Sequence, residues 1–145
     1  MKNIIKLISI FFVVLNFINT ALAENAFFEN GVKKYNQKKY DSSKFLFQRS
    51  IVFNPKDYNS YLYLAKIYKI EDNKKEEQKN INTVLLLNPK NEEANYLLME
   101  IELKNSNYTK VKELTENFSK ICITLCDKKN LILETLKDLE PKNES

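Results

Sequence analysis

The chain has 145 residues, with 23 Lys and Arg against 19 Asp and Glu, one Gly, three Pro, two Cys and neither His nor Trp. Without His there is no Ser-His-Asp or Cys-His catalysis and no imidazole ligand for a metal, and one Gly cannot build a phosphate loop or a dinucleotide fingerprint. Few Gly and Pro also argue against a turn-rich β fold, which needs breakers about every 8–12 residues, so the composition points to an all-α, non-enzymatic chain that takes no cofactor and no metal.

Met1-Lys2-Asn3 and Lys6 form a short basic start. Leu7 to Ile18 is an apolar run of 12 residues interrupted only by Ser9 and Asn16, and Ala21-Leu22-Ala23 precedes Glu24. Basic start, apolar middle and small residues at the end spell a secretory signal peptide over 1–23, cleaved after Ala23. An uncleaved anchor is the other reading, but the run falls short of the roughly 20 residues of a spanning helix. The expected mature chain, 24–145, is then periplasmic or secreted, with no stable membrane span. The formal charge of +4 falls to +2 once Lys2 and Lys6 are gone, and Arg49 is the only Arg. That charge is too small and too scattered for a nucleic-acid footprint.

Pro55 in Phe-Asn-Pro-Lys and Pro89 in Leu-Asn-Pro-Lys lie 34 residues apart, and the segments before them align. A fixed period of this length is the signature of a repeat architecture. Between the two prolines, Tyr61, Leu64, Ala65 and Tyr68 follow helical spacing, as do Ile81, Val84 and Leu85. Glu71-Asp72-Asn73-Lys74 separates the two runs as a polar turn. The unit is helix, turn, helix and Asn-Pro, the Pro disfavouring a helical conformation in the residue before it. An unrelated all-α bundle would share the helical periodicity.

This pattern resembles the tetratricopeptide repeat (TPR) family, whose unit is a helix-turn-helix of 34 residues. Counting from Glu24, unit one places Phe27, Gly31, Tyr40, Ser43, Phe47, Ser50 and Pro55 at the family's aromatic, small and closing positions. Unit two, from Tyr58, keeps Tyr61, Leu64, Ala65, Tyr68, Ile81, Val84 and Pro89, but has Glu77 where a small residue is typical. Unit three, from Glu92, keeps Leu98, Tyr108 and Val111, has Met99 and Phe118 at small positions and lacks the closing Pro. The resemblance implies an α-solenoid of TPR units over 24–140, divided at about 24–57, 58–91 and 92–125. A capping helix follows at about 128–140 and a disordered tail at 141–145. Seven helices are expected in all, the last an amphipathic helix over Asn130 to Leu139 with Ile132, Leu136 and Leu139 on one stripe.

Cys122 and Cys126 stand four apart. An even number of cysteines in an exported chain suggests a disulfide. The spacing is awkward within one continuous helix, because disulfide geometry is demanding, and it becomes feasible if a bend separates the third helix pair from the cap. Two buried free thiols are the other reading. The carboxylate and lysine pairs, such as Glu76-Glu77 and Lys74-Lys75, read as solvated helix faces.

In the TPR family the first helix of each unit lines a concave surface. Carrying those positions over singles out Phe28, Val32 and Tyr35, then Leu62, Tyr63, Lys66 and Lys69, then Tyr96, Glu100 and Leu103. Aromatic and apolar side chains with a few charges suit a peptide segment or a partner helix. Packing against the cap or a neighbouring pair would equally explain some of them. The Lys/Asn/Arg clamp with which some TPR proteins hold a chaperone's C-terminal carboxylate is missing: the corresponding positions read Phe28, Val32, Tyr63, Glu93 and Leu97. The resemblance, with the expected signal peptide and the empty catalytic inventory, implies a non-catalytic protein-interaction or assembly module of the bacterial cell envelope that binds a segment of another protein or peptide in its concave groove. The alternative is a structural subunit or oligomerising accessory of an envelope complex.

Overall fold

The structure, a computed structural model, describes residues 26–139. The expected signal peptide and tail lie outside them. Among the described residues there are seven helices: α1 over 26–36, α2 (Tyr40–Phe53), α3 (Tyr58–Ile70), α4 (Lys74–Leu87), α5 (Glu92–Lys104), α6 (Tyr108–Ile121) and α7 (Cys126–Leu139). None of these helices is long and apolar enough to cross a membrane.

The 34-residue period is written into the backbone as well as the side chains. Within each helix pair the turn has one residue at positive φ: Lys38 at 59°, Asp72 at 53° and Ser106 at 57°. Left-handed backbone costs an ordinary L-residue about 1–2 kcal/mol, and here the turn's own hydrogen bonds hold it. Lys39, Asn73 and Asn107 each donate N–H to a carbonyl five residues back, on Lys34, Tyr68 and Glu102. After each pair, the next three helices begin at Tyr58, Glu92 and Cys126, again 34 apart. The last helix therefore begins earlier than the sequence suggested. Cys126 stands 34 residues after Glu92, so the capping helix α7 continues the register of the repeat.

Local chemistry sets the helix ends. Asn73 and Asn91 cap α4 and α5, their side chains accepting N–H bonds from Glu76 (3.2 Å) and Ala94 (2.8 Å). α2 and α4 stop at Phe53 and Leu87, one residue before the Asn-Pro pairs.

The described residues divide into two compact units, one ending at Ile67 and the other beginning at Tyr68, the division falling within α3. In the first, Gly31 meets Phe47: a Cβ on Gly31 would lie 2.8 Å from the Phe47 ring. Ser43 Oγ donates to the Gly31 carbonyl at 2.8 Å, drawing α2 against α1. In the second, α5 packs against α4, α6 and α7. Its core joins Met99, Leu103, Val111, Phe118, Ile132 and Leu136. The positions that the repeat reserves for small residues are buried throughout: Gly31, Ser43, Ser50, Ala65, Glu77, Val84, Met99, Val111 and Phe118. The third unit keeps this register although its side chains there are large.

Candidate functional site

In the first unit the leading helices α1 and α3 bring aromatic rings together. Phe28 and Tyr35 lie two helical turns apart on α1, and both rings meet Tyr63 of α3 edge-on, with centroids 5.9 and 5.2 Å away. Phe47 of α2 lies beneath, stacked on Tyr63 at 4.8 Å. Such geometries add about 0.5–1.5 kcal/mol per pair to burial alone. Phe47 is fully buried whereas Phe28, Tyr35 and Tyr63 are half-buried, so the rings form a rigid surface over a buried base. Lys66 lies over the Tyr63 ring at 4.9 Å and brings positive charge to that surface. Val32 is half-buried on α1. The second helix also contributes Tyr40, which meets Tyr35 at 5.8 Å. This pair joins the two sides of a left-handed turn and leaves no local signature in the sequence.

In the second unit Tyr96, Glu100 and Lys69 converge. Tyr96 Oη donates to Glu100 Oε1 at 3.1 Å, and Lys69 Nζ pairs with Glu100 Oε2. Burial, then the neighbouring Glu100 carboxylate, pushes the Tyr96 phenol above its ordinary value of 10.0, so it stays a hydrogen-bond donor. Lys128 of α7 sits over the Tyr96 ring at 5.4 Å. Beside them opens a cleft of about 290 Å³, walled by Tyr96, Glu100 and Leu103 on α5 and by Leu131, Ile132 and Thr135 on α7. The cap thus forms one wall of this part of the expected surface.

Two of the expected contact residues are largely buried. Leu62 is 7% and Leu103 8% exposed. Leu62 turns into the core, whereas Leu103 belongs both to the core and to the wall of the cleft. Leu103 packs with Met99, Val111, Phe118, Ile132 and Leu136.

Glu77, read from the sequence as part of a solvated face, is 5% exposed. It lines a cavity of about 240 Å³ with Lys69, Asp72, Lys74, Lys75 and Lys104 among its neighbours. Burial raises its carboxyl above 4.5, while Lys104 and then Lys69 pull it back down. Among the described residues no group of three or more His, Cys, Asp or Glu is placed to hold a metal.

Cys122 and Cys126 are bonded to one another, with Cα atoms 5.3 Å apart. Cys122 ends α6 in extended backbone and Cys126 begins α7, so the bend lies between them. Glu92, at the start of α5, reaches into this bend. Its Oε2 accepts N–H from Leu125 at 2.7 Å and from Thr124 at 3.0 Å, and the Thr124 hydroxyl at 3.3 Å. These backbone donors hold the Glu92 carboxyl below its ordinary value of 4.5. Thirty-two residues separate Glu92 from Thr124, and no local pattern in the sequence announces the contact.

No protein-family model matches the chain, and no curated protein matches it in sequence. Solved structures match its fold. The TPR domain of Arabidopsis OM64 superposes with a TM-score of 0.72 at 13% identity, over 82% of this chain and 98% of that one. The TPR2B domain–pHsp70 complex of yeast Sti1 gives 0.73 at 10% identity, over 82% and 99%. The first TPR of Spaghetti (RPAP3), bound to the HSP90 peptide SRMEEVD, gives 0.69 at 16% identity, over 80% and 92%. The fold of this chain is that of an all-α TPR solenoid with about three repeats.

Proposed function

We propose that the chain is a non-catalytic protein-interaction module of the bacterial cell envelope, which docks a peptide segment or partner helix on the leading helices of its repeats. The observation that carries this reading is the half-buried aromatic surface of Phe28, Tyr35 and Tyr63 with Lys66 over it, presented by a TPR scaffold. Rigid rings with a polar tip give large contact area at little entropic cost. Two neighbours in fold are complexes with chaperone peptides. The clamp positions of this chain read Phe28, Val32, Tyr63, Glu93 and Leu97, which have no cation for a terminal carboxylate. A chaperone tail is therefore not the proposed ligand, and ring stacking with apolar contact takes the place of charge. Export follows from the composition of residues 1–23, and N-terminal sequencing of the mature protein should begin at Glu24.

The test is affinity capture of the mature chain from its native envelope, followed by titration of the recovered partner. Tyr63→Ala together with Tyr96→Ala should weaken binding about tenfold or more, the range of interface hot spots. A thermal melt confirms that the variant remains folded. Unchanged affinity in a folded variant removes the leading helices from the interface. The runner-up, an assembly subunit, draws on Phe45 and Val52 of α2, which are 59% and 70% exposed. A molar mass above the monomer in solution, lost in Phe45→Asp, would favour it.

A further inference from the structure

Three junctions follow the three helix pairs, and the third is built differently. At the first two, Asn54 and Asn88 end the helix and donate N–H to Ser50 and Val84 (2.9 and 2.7 Å). Pro55 and Pro89 come next. Asp57 and Asn91 then close the turn, their N–H groups donating to the carbonyls of Asn54 and Asn88, both at 3.1 Å. Their side chains also cap the following helix: Asp57 accepts from Asn59 N–H at 3.1 Å, and Asn91 from Ala94 N–H at 2.8 Å. Pro stiffens such a turn by fixing φ, and the Asx side chain satisfies an N–H that would otherwise have no partner.

At the third junction the corresponding residues are Cys122, Ile123 and Leu125. Cys122 keeps the first bond, donating to Phe118 at 2.9 Å. Ile123 replaces the Pro and is 86% exposed. Leu125 has no side-chain acceptor, and its N–H goes to Glu92 instead of closing the turn. What stands in for the Pro and the cap is the bond from Cys122 to Cys126 and the carboxylate of Glu92.

We propose that the Cys122–Cys126 disulfide and Glu92 form a redox-sensitive clasp that determines whether α7 stays docked on α5 and α6. Reduction would open it, and α7 would leave the cleft it helps to wall. The step is ordinary thiol–disulfide exchange with a dithiol reductant. A reductant thiolate attacks one sulfur, the S–S bond breaks, and the reductant's second thiol displaces the mixed disulfide. Two electrons and two protons pass to Cys122 and Cys126, and the reductant leaves as a cyclic disulfide.

The placement of the cysteines favours this. Cys126 is exposed, so a reductant can reach it. It is also the first residue of α7, where the free amides of a helix start stabilise a thiolate and so the reduced form. The seam beneath α7 is thin. Only Ile132 and Leu136 of this helix are buried, while Leu131, Leu133 and Leu139 are 40% exposed or more. An element with only two buried side chains sits at the low end of local stability, so a restraint at its first residue weighs heavily on its state. Without the bond, the bend over 122–126 is left to the Cys122 N–H bond to Phe118, the Lys128 N–H bond to Leu125 and the Glu92 carboxylate.

The clasp is a property of the protein alone and does not depend on the identity of any partner. It is tested by amide hydrogen exchange on the whole mature chain, oxidised and after dithiothreitol. Exchange across 126–139 should rise by about fivefold or more on reduction, with 26–87 unchanged. The Cys122→Ser, Cys126→Ser double variant should show the fast pattern with or without dithiothreitol. Glu92→Gln in the oxidised protein should speed exchange at Thr124 and Leu125. A smaller rise across 126–139, or an equal rise along the whole chain, overturns the clasp.

Discussion

In the first unit the inward positions of the repeat carry Gly31, Ser43, Ser50 and Ala65, whereas the third repeat, within the second unit, carries Met99, Val111 and Phe118 at the equivalent places. Both sets are buried. The first solution leaves room on α1 and fills it from α2, with Phe47 seated against the bare Cα of Gly31 and stacked on Tyr63. The second fills the same space from the inward positions themselves and closes it with Ile132 and Leu136 of α7. Interiors pack at close to crystal density, so what a repeat conserves is the total volume at a contact and not the size of any one residue. Small residues are a common way to reach that volume, and Met99 and Phe118 show that they are not required.

The largest effects should come from removing the ring that each unit packs around. Phe47→Ala and Phe118→Ala should each cost about 3–5 kcal/mol in urea unfolding, since both side chains are fully buried. A loss below about 1 kcal/mol at Phe118 would mean that the third repeat tolerates a void there, and the two units would not be alternative solutions to one packing problem.

The repeat was legible because its signals are local. Pro55 and Pro89 mark helix ends through their own rings, and helical spacing of apolar residues needs no knowledge of the partner surface. The disulfide was partly legible, from cysteine count and compartment. The residues that are not legible locally are those whose state depends on something distant. Leu62 and Leu103 sit on leading helices like Phe28 and Tyr63, and only the packing of other helices decides which of these face inward. Glu77 stands in Lys-Lys-Glu-Glu-Gln-Lys, a string that describes a solvated face, yet its position in the repeat is an inward one. There the repeat register outweighs the local composition. Glu92 reads as a first-turn carboxylate, suited to its own helix dipole, and its bonds to Thr124 and Leu125 need the whole of α5 and α6 to fold between them.

Changing the inward volume in opposite directions sharpens the comparison. Gly31→Leu adds a side chain where even a Cβ would approach the Phe47 ring to 2.8 Å. The ring cannot retreat freely, because it is also stacked on Tyr63. Overpacking of this kind costs about 3 kcal/mol. Met99→Ala removes volume from a position with no exposure and should cost a similar amount, roughly 2–5 kcal/mol. Both are read as shifts in urea midpoint at constant slope. If Gly31→Leu is as stable as the wild type, Gly31 does not lie at the contact, and the repeat register of the first unit fails with it.

The smallest effect concerns the one inward position that holds a charge. Glu77 replaces a small residue, and burial raises its carboxyl above 4.5 despite the attraction of Lys104 and Lys69. The folded protein then binds the proton more tightly than the unfolded chain. Folding gains as pH falls through the raised value, and the ionised carboxylate opposes folding above it. Glu77→Gln keeps the size and removes the charge. It should stabilise the protein by on the order of 1 kcal/mol at about pH 7, and the gain should shrink toward zero at about pH 4, where the wild-type carboxyl is itself neutral. Paired urea titrations at the two pH values measure it. A variant less stable than wild type at pH 7 would show that Lys104 and Lys69 outweigh burial. Glu77 would then be the anionic centre of a small ion cluster between α3, α4 and α5, and the second unit would hold this inward position by charge as well as by volume.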